Sequence, residues 1–390
     1  MVSRKKIMVL LGGGRIPPNI AGVLSLRPDE VRYLISEDQP KTHDDMLSVL
    51  GRFDGLKADG PMEVVPAHHI PAIKAKTHQI LANATDADVV FNVTCGSKTM
   101  AIAVYEVAKD LGHRVIYVDS FANRIIDWTW PDQEEELIRT TIDDFLAALG
   151  RTPQRKFDFA DLLLSENDAV LVAENLVAAG AAADSLLLGM RQLGWTESEP
   201  RRHFKSKLGN DETAVLQMMQ DLELVTDVVL TNRGYWCYTI PNAPNWNFIK
   251  GDWLEVYVHA QASRLKQADE RPLFDHIAFS VRLPADAGGA EREIDFAGLY
   301  GWQLVWASCK VERNPLDKRY LNEVAAINTM IGGRYATPIF ICNGRGDAEN
   351  AQAFRQQAEA AKIVVVMRDR LPDIGAVLRN EAVKPTYGRS

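Results

Sequence analysis

Cysteine is scarce in this 390-residue chain. Only Cys95, Cys237, Cys309 and Cys342 occur, far apart and with no C-x-x-C pair. That excludes a disulfide framework and a zinc site built on paired thiols. Long apolar runs are missing as well, since no stretch approaches the roughly 20 apolar residues of a membrane span. The basic start, Met1 to Lys6, is followed by a short apolar run, Ile7 to Leu11, before Gly12. Such a run reads as a buried strand and not as the core of a signal sequence. Positive charge is not in excess: 44 Lys and Arg against 52 Asp and Glu leave a formal charge of −8. Any nucleic-acid site must then be a local basic groove on an acidic protein. No internal repeat or low-complexity segment is evident. The expectation is a soluble, cytoplasmic protein of two or three domains with ample core and no membrane contact.

What is present first is alternation. Ile7–Leu11 is apolar at every position, as in a parallel sheet covered on both faces. Val31–Ile35, Met62–Pro66, Asp88–Val93 and Arg114–Asp119 are further strands, and the stretch 98–110 is one of the helices between them. The pattern predicts a doubly wound, Rossmann-like α/β domain over residues 1–150. Two loops at strand carboxyl ends carry polar chemistry, and such ends are where open α/β sheets bind ligands. In the first, Gly12-Gly13-Gly14-Arg15-Ile16-Pro17-Pro18-Asn19, Pro17 takes the last position of a G-x-G-x-x-G fingerprint. Proline removes an amide there and blocks close helix approach, which argues against a nicotinamide site. The second loop is Asn92-Val93-Thr94-Cys95-Gly96-Ser97-Lys98-Thr99-Met100. Its small residues expose amides at a helix amino terminus and Lys98 adds a charge, which suits a phosphate. An ordinary turn capped by Ser97 fits the spacing equally well. His68 and His69 follow Pro66 at a strand end, placed to reach a ligand or to stand as an exposed loop pair.

The order Asn92, Thr94, Gly96, Lys98, Met100 between a strand and a helix resembles the ligand loop of CARF domains, the cyclic-oligoadenylate sensors of type III CRISPR defence. Cys95 replaces a glycine and Ser97 a threonine. The opening strand followed by Arg15, Pro17, Pro18 and Asn19 resembles the start of such domains. The resemblance implies a ligand site at Gly14, Arg15, Pro17, Asn19, Asn92, Thr94, Cys95, Gly96, Ser97, Lys98 and Met100. It also implies cyclic tetra-adenylate as allosteric activator and a homodimer around a two-fold ligand. Cysteine enters positive φ at greater cost than glycine, so whether the loop keeps the family's shape at Cys95 turns on the φ it needs there.

Residues 151–246 differ in character. A basic linker, 151–156, leads to alanine- and leucine-rich helices between Asp168 and Leu193 and another helix from Asp211 to Leu224. Val225–Leu230 and Gly234–Ile240 then read as a hairpin. Helices followed by a hairpin predict a winged-helix-like connecting module. Its basic cluster, Arg201 to Lys207, either lines a nucleic-acid groove or is a solvated surface.

Residues 247–390 form the third expected domain, mixed α/β. A helix opens near Asp252 and carries Glu255 among Trp253, Leu254, Val256 and Val258. Phe274–Leu283 and Arg292–Leu299 are strands, and Gln303 to Glu312 is the next. Side chains alternate along a strand, so Glu293 and Asp295 share a face, as do Ser308, Lys310 and Glu312. Two residues along a strand span about 6.6 Å, close enough for neighbouring groups to address one metal-bound phosphate. Hard Mg²⁺ or Mn²⁺ takes carboxylate and carbonyl oxygens, and a lysine beside it stabilises charge developing on a phosphodiester.

The sequence Gly251-x-Trp253-Leu254-Glu255 on a helix, then Glu293-Ile294-Asp295, then a strand ending Cys309-Lys310, resembles the nuclease half of CARF–nuclease fusions, a restriction-endonuclease-like PD-(D/E)xK domain. The resemblance implies Glu255, Asp295 and Lys310 as catalytic residues. It implies Glu255, Asp295 and the main-chain carbonyl of Cys309 as metal ligands, and RNA or DNA as substrate. Ser308 stands where the family has glutamate, so Glu293 or Glu312 must supply the missing carboxylate, or the site is weakened. The leading expectation is a cyclic-oligoadenylate-activated endonuclease. The alternatives are a sensor with a degenerate nuclease half that acts by binding, and a nucleotide-responsive transcription regulator suggested by the winged-helix pattern.

Overall fold

The apolar run at Ile7–Leu11 becomes the centre of a seven-stranded sheet. The computed structural model describes residues 4–13, 16–154, 164–204, 207–284, 291–331, 333–345 and 349–387. The chain divides into two units, Met1–Thr152 with Gly301–Gln303, and Pro153–Tyr300 with Leu304–Ser390.

In the first unit the elements run β1 (Lys5–Gly12), α1 (Pro17–Leu26), β2 (Glu30–Ser36), α2 (Lys41–Leu50), β3 (Met62–Val65), α3 (Ile70–Ala82), β4 (Ala87–Asn92), α4 (Lys98–Asp110), β5 (Arg114–Asp119), β6 (Arg124–Asp127), β7 (Glu134–Glu136) and α5 (Ile142–Ala147). The strand order is β3-β2-β1-β4-β5-β6-β7. The first five strands are parallel and the last two antiparallel. The chain leaves β1 toward β2 and later returns to β1's other edge as β4. The crevice between the carboxyl ends of β1 and β4 is therefore the topological switch point, where such sheets bind ligands. Pro17 and Pro18 suit the first turn of α1, where their missing amides would have no helical partner. The one buried acid on β2, Glu30, is held by Lys5 at 2.6 Å and Arg32 at 2.7 Å. Burial works against its charge, but these cations hold its carboxyl down at about 2.

The second unit begins with α6 (Glu166–Ala178), α7 (Ala181–Leu193), β8 (Arg201–His203), α8 (Asn210–Asp221), β9 (Thr226–Leu230) and β10 (Trp236–Thr239). The three strands form an antiparallel sheet in the order β8-β10-β9, so the expected hairpin, β9 with β10, is joined by a third strand. Next come α9 (Ala243–Asn247), a wide helical turn over Phe248–Asp252, and α10 (Trp253–Ser263). The remaining elements are β11 (His276–Leu283), β12 (Arg292–Tyr300), β13 (Gln303–Lys310), α11 (Lys318–Met330), β14 (Ala336–Cys342), α12 (Ala351–Ala360), β15 (Val364–Val366) and α13 (Ile374–Val383). The five strands lie in sequence order, β11 and β12 antiparallel, β13, β14 and β15 parallel.

One hydrophobic cluster runs through Leu176, Leu187, Met190, Leu216, Tyr238, Phe248, Trp253, Phe296, Ile339 and Leu378. The helical segment and the five-stranded sheet thus share a single core. Among the described residues no single helix is long and apolar enough to cross a membrane. The pair α6 and α7 matches such a length only jointly, bent by 113°, and both helices pack into this core. The expected class, α/β with a parallel-rich sheet and a second mixed sheet, is the one observed.

Candidate functional site

Two loops face the switch point, and their backbones are in contact. A Cβ on Gly13 would lie 2.4 Å from the Cys95 carbonyl oxygen, and one on Gly96 would lie 2.9 Å from Leu11 Cβ. Glycine is required at both positions by this approach. Neither Cys95 nor Gly96 is among the positive-φ residues, so the loop asks no left-handed conformation of Cys95. Cys95 is buried.

Much of the predicted ligand set is scaffold. The side-chain amide of Asn19, on α1, donates to Leu11 O at 2.9 Å. Asn92 donates to Pro18 O at 3.3 Å, and its side-chain oxygen accepts from Thr94 N at 3.2 Å and Thr94 Oγ1 at 2.6 Å. Thr94 Oγ1 in turn accepts from Val118 N at 2.7 Å. Asn19, Asn92 and Thr94 therefore tie β1, β4, β5 and α1 together beneath the crevice. Pro17 and Met100 are buried, Met100 within the core beneath α4. Ser97 caps α4, accepting from Met100 N at 3.1 Å and donating to Ala67 O at 2.7 Å. Exposed at the crevice are Gly13, Lys98 on the first turn of α4, and His68, whose Nδ1 lies 3.4 Å from Thr99 Oγ1. His69 caps α3 by accepting from Ala72 N. Gly14 and Arg15 lie outside the described residues. Free amides at the start of α4 with a lysine beside them can take an anionic group such as phosphate.

The second candidate site lies in the second unit, where α10 meets β12 and β13. Asp295, buried on β12, accepts from Cys309 N at 2.6 Å and Ser308 Oγ at 3.3 Å, and Lys310 Nζ is 3.7 Å away. Glu255 on α10 is partly buried. Burial, then Asp295, Asp252 and Glu293, raise its carboxyl well above the ordinary range, against a lowering by Lys310. Burial likewise raises Asp295, against Lys310 and the Cys309 amide. Burial opposes the Lys310 ammonium, but Asp295 foremost, with Glu323 and Glu255, holds it above its usual value. Lys310 also lies over the Tyr320 ring at 5.9 Å. The structure thus brings Glu255, Asp295, Ser308, Cys309 and Lys310 together.

The two substitute carboxylates differ. Glu293 bonds Ser280 Oγ and lies 3.5 Å from Arg282, and its charge acts on both Glu255 and Asp295. Glu312 lies beyond the end of β13, so strand alternation does not set its direction. Its carboxylate accepts from Tyr320 OH and lies 3.8 Å from Arg319. Sequence reasoning missed two neighbours. Asp252 belongs to the same electrostatic group, its acid raised by burial and by Glu293, with Lys250 opposing. Ser280 has φ of 50°, the left-handed region, and falls between the Phe279–Phe296 and Val281–Ile294 pairs of the β11–β12 register. Its identity carries no pattern from which that conformation could be read.

Among the described residues no three His, Cys, Asp or Glu side chains gather closely enough to hold a metal ion by themselves. Mg²⁺ is ordinarily held by one or two carboxylates, with waters and substrate phosphates completing its shell. Glu255, raised by burial and by Asp295, and Asp295, raised by burial and by Glu293, fit that thinner kind of site: a dication would favour their charged forms.

Residues 18–144 match the Card1 CARF domain family, and this stretch of the chain is a CARF domain. No curated protein matches the chain in sequence. Among solved structures it is similar to protein VC1899 from Vibrio cholerae, at 17% identity and a TM-score of 0.75 over 97% of this chain and 98% of that one. It is similar to Can2 from Sulfobacillus thermosulfidooxidans, solved in complex with cyclic tetra-adenylate, at 17% identity and a TM-score of 0.69 over 96% and 99%. It is also similar to a type III CRISPR defence DNA nuclease activated by cyclic oligoadenylate, at 15% identity and a TM-score of 0.52, over 88% of this chain and 46% of that one. At these identities the likeness is one of fold.

Proposed function

We propose that the chain is a cyclic-oligoadenylate-activated, metal-dependent endonuclease of type III CRISPR defence. Residues 1–150 are the sensor, 151–246 the connecting region and 247–390 the nuclease domain. Cyclic tetra-adenylate is the activator, bound at the switch-point crevice of a cytoplasmic homodimer. The CARF family match and the fold shared with proteins that bind or respond to cyclic oligoadenylate support the sensor half. The observation that carries the nuclease half is the Glu255–Asp295 pair with Lys310 Nζ 3.7 Å from Asp295.

Glu255, Asp295 and the Cys309 carbonyl would hold Mg²⁺ or Mn²⁺, which would supply charge neutralisation and Lewis acidity there. The chain's own groups do the rest. Lys310, kept protonated by Asp295, stabilises negative charge that grows on the phosphodiester. The Cys309 amide and Ser308 hydroxyl fix the rotamer of Asp295. Activation requires that the cyclic nucleotide bind the cutting arrangement more tightly than the resting one, since equal affinity shifts nothing.

A second reading is favoured by Ser308. A serine that donates to Asp295 in place of a third carboxylate suits a sensor whose nuclease half grips nucleic acid without cutting it. The test is cleavage of labelled single-stranded RNA and DNA and of supercoiled plasmid in Mg²⁺ or Mn²⁺, with and without cyclic tetra-adenylate, with Lys310→Ala as control. Cutting that needs both ligand and Lys310 supports the activated nuclease. Ligand binding without cutting supports the second reading, and Ser308→Glu should then gain activity, by about 10²–10³ if one lost electrostatic contact is the defect. No binding of any cyclic oligoadenylate refutes both.

A further inference from the structure

Arg191 lies on the last turn of α7, inside the helical segment and well before the expected nuclease helix in sequence. Its Nε donates to Leu187 O on its own helix at 3.3 Å. Its Nη1 reaches two other elements, the Lys250 carbonyl at 3.4 Å and the Val311 carbonyl. These two carbonyls have significant neighbours. Lys250 precedes Gly251, where the helical geometry breaks before α10 restarts at Trp253, and the resumed turn carries Asp252 and Glu255. Val311 follows Lys310, the last residue of β13, at the point where sheet pairing ends. Each carbonyl thus marks the end of a regular element next to a candidate active group.

We propose that Arg191 is a positioning residue of the carboxylate–lysine site, clasping the Lys250 and Val311 carbonyls so that the α10 start and the β13 end keep a fixed separation. The proposal rests on the nuclease reading for its catalytic consequence but not for its structural one. A planar guanidinium with donors in a rigid fork can serve its own helix and two carbonyls at once, and an ammonium cannot do so with the same geometry. A simpler role is also open to this residue: a cation in the last turn complements the helix dipole. Lysine would preserve that role and lose the fork, which separates the two.

The experiment compares wild type with Arg191→Lys, Arg191→Met and Arg191→Ala in the full chain. Hydrogen–deuterium exchange of peptides covering 248–256 and 306–313 reads the clasp without reference to activity. Plasmid and labelled-RNA cleavage in Mn²⁺ with cyclic tetra-adenylate reads its consequence. The expected result is faster exchange in both peptides for all three variants, with the core strand 336–342 unchanged. It also includes kcat lower by ~10–100-fold, as for supporting residues around a metal site, with KM little altered. Added guanidinium should restore part of the Arg191→Ala rate. Arg191→Lys exchanging and cutting like wild type would overturn the proposal in favour of the helix-dipole role, and so would wild-type exchange in Arg191→Met. If Arg191→Met fails to fold, Arg191→Lys alone decides. If the wild type does not cut, the nuclease reading falls while the exchange data still decide the clasp.

Discussion

At the residue scale the second unit carries an electrostatic cost. A buried acid whose folded pKa is raised binds its proton more tightly in the folded than in the unfolded state. As pH climbs through the ordinary carboxylate range toward the raised value, the folded state holds more protons, so stability falls; above the raised value the whole penalty is present. Asp295 and Glu255 are both of this kind. Asp295→Asn should therefore melt higher than wild type at pH 8, with the gain shrinking toward pH 4. Each kcal/mol relieved corresponds to about 2–4 °C for a unit of this size. Thermal melts across pH check this, and an equal or lower melting temperature at pH 8 would contradict it. The same charges rank the substitute carboxylates. Glu293 acts on both acids, and Glu312 is engaged by Tyr320. If the enzyme cuts, Glu293→Gln should lower cleavage by at least tenfold and Glu312→Gln should leave it within about twofold, the difference expected when only one of two groups faces the reacting charge.

At the scale of elements, the crevice between β1 and β4 yields a prediction that separates scaffold from contact. Ser97 holds the first turn of α4, and its removal should cost about 1 kcal/mol of stability, as for other helix caps. Lys98, exposed beside it, should leave stability within about 0.5 kcal/mol when changed to alanine yet weaken cyclic tetra-adenylate binding, and more so at low salt. Calorimetric titration and melting curves of Ser97→Ala and Lys98→Ala read both effects; unchanged binding in Lys98→Ala would exclude it as a phosphate contact. Much of this element-level architecture was legible. Ile7–Leu11 announced a central parallel strand because all five positions are apolar, and Ser97 announced its cap by spacing. Asn19, Asn92 and Thr94 were legible as special but not as scaffold. Their partners, Leu11, Pro18 and Val118, are fixed by how distant strands stack, and one chain's sequence carries no local trace of that. Glu312 misled for a related reason: alternation predicts a face only while the strand lasts, and β13 stops at Lys310. Arg191 left no trace because its carbonyl partners lie 59 and 120 residues away.

At the scale of the molecule, the helical segment and the five-stranded sheet behave as one folding unit because neither has a complete core. Leu187 and Met190 share a cluster with Phe296 and Ile339. Arg368, just after β15 and 9% exposed, takes side-chain hydrogen bonds and an ion pair from that segment. It donates to Leu176 O at 2.7 Å and Gly180 O at 2.8 Å, and its Nε lies 3.0 Å from Asp184. A fragment of residues 247–390 would lose these partners and expose the apolar faces of Phe248, Trp253 and Leu254. A buried cation stripped of its partner costs about 3–5 kcal/mol, comparable with the whole stability of many domains. Residues 153–390 expressed alone should give soluble, cooperatively melting protein, whereas 247–390 should be insoluble or lack a melting transition. In the longer fragment Arg368→Met, which removes the charge together with its need for partners, should be tolerated far better than Asp184→Ala, which leaves the guanidinium without its counter-charge. Cooperative melting of 247–390 on its own would mean that the sheet closes its core without α6 to α8. The Arg191 clasp would then be a contact between independently stable parts and not a joint within one.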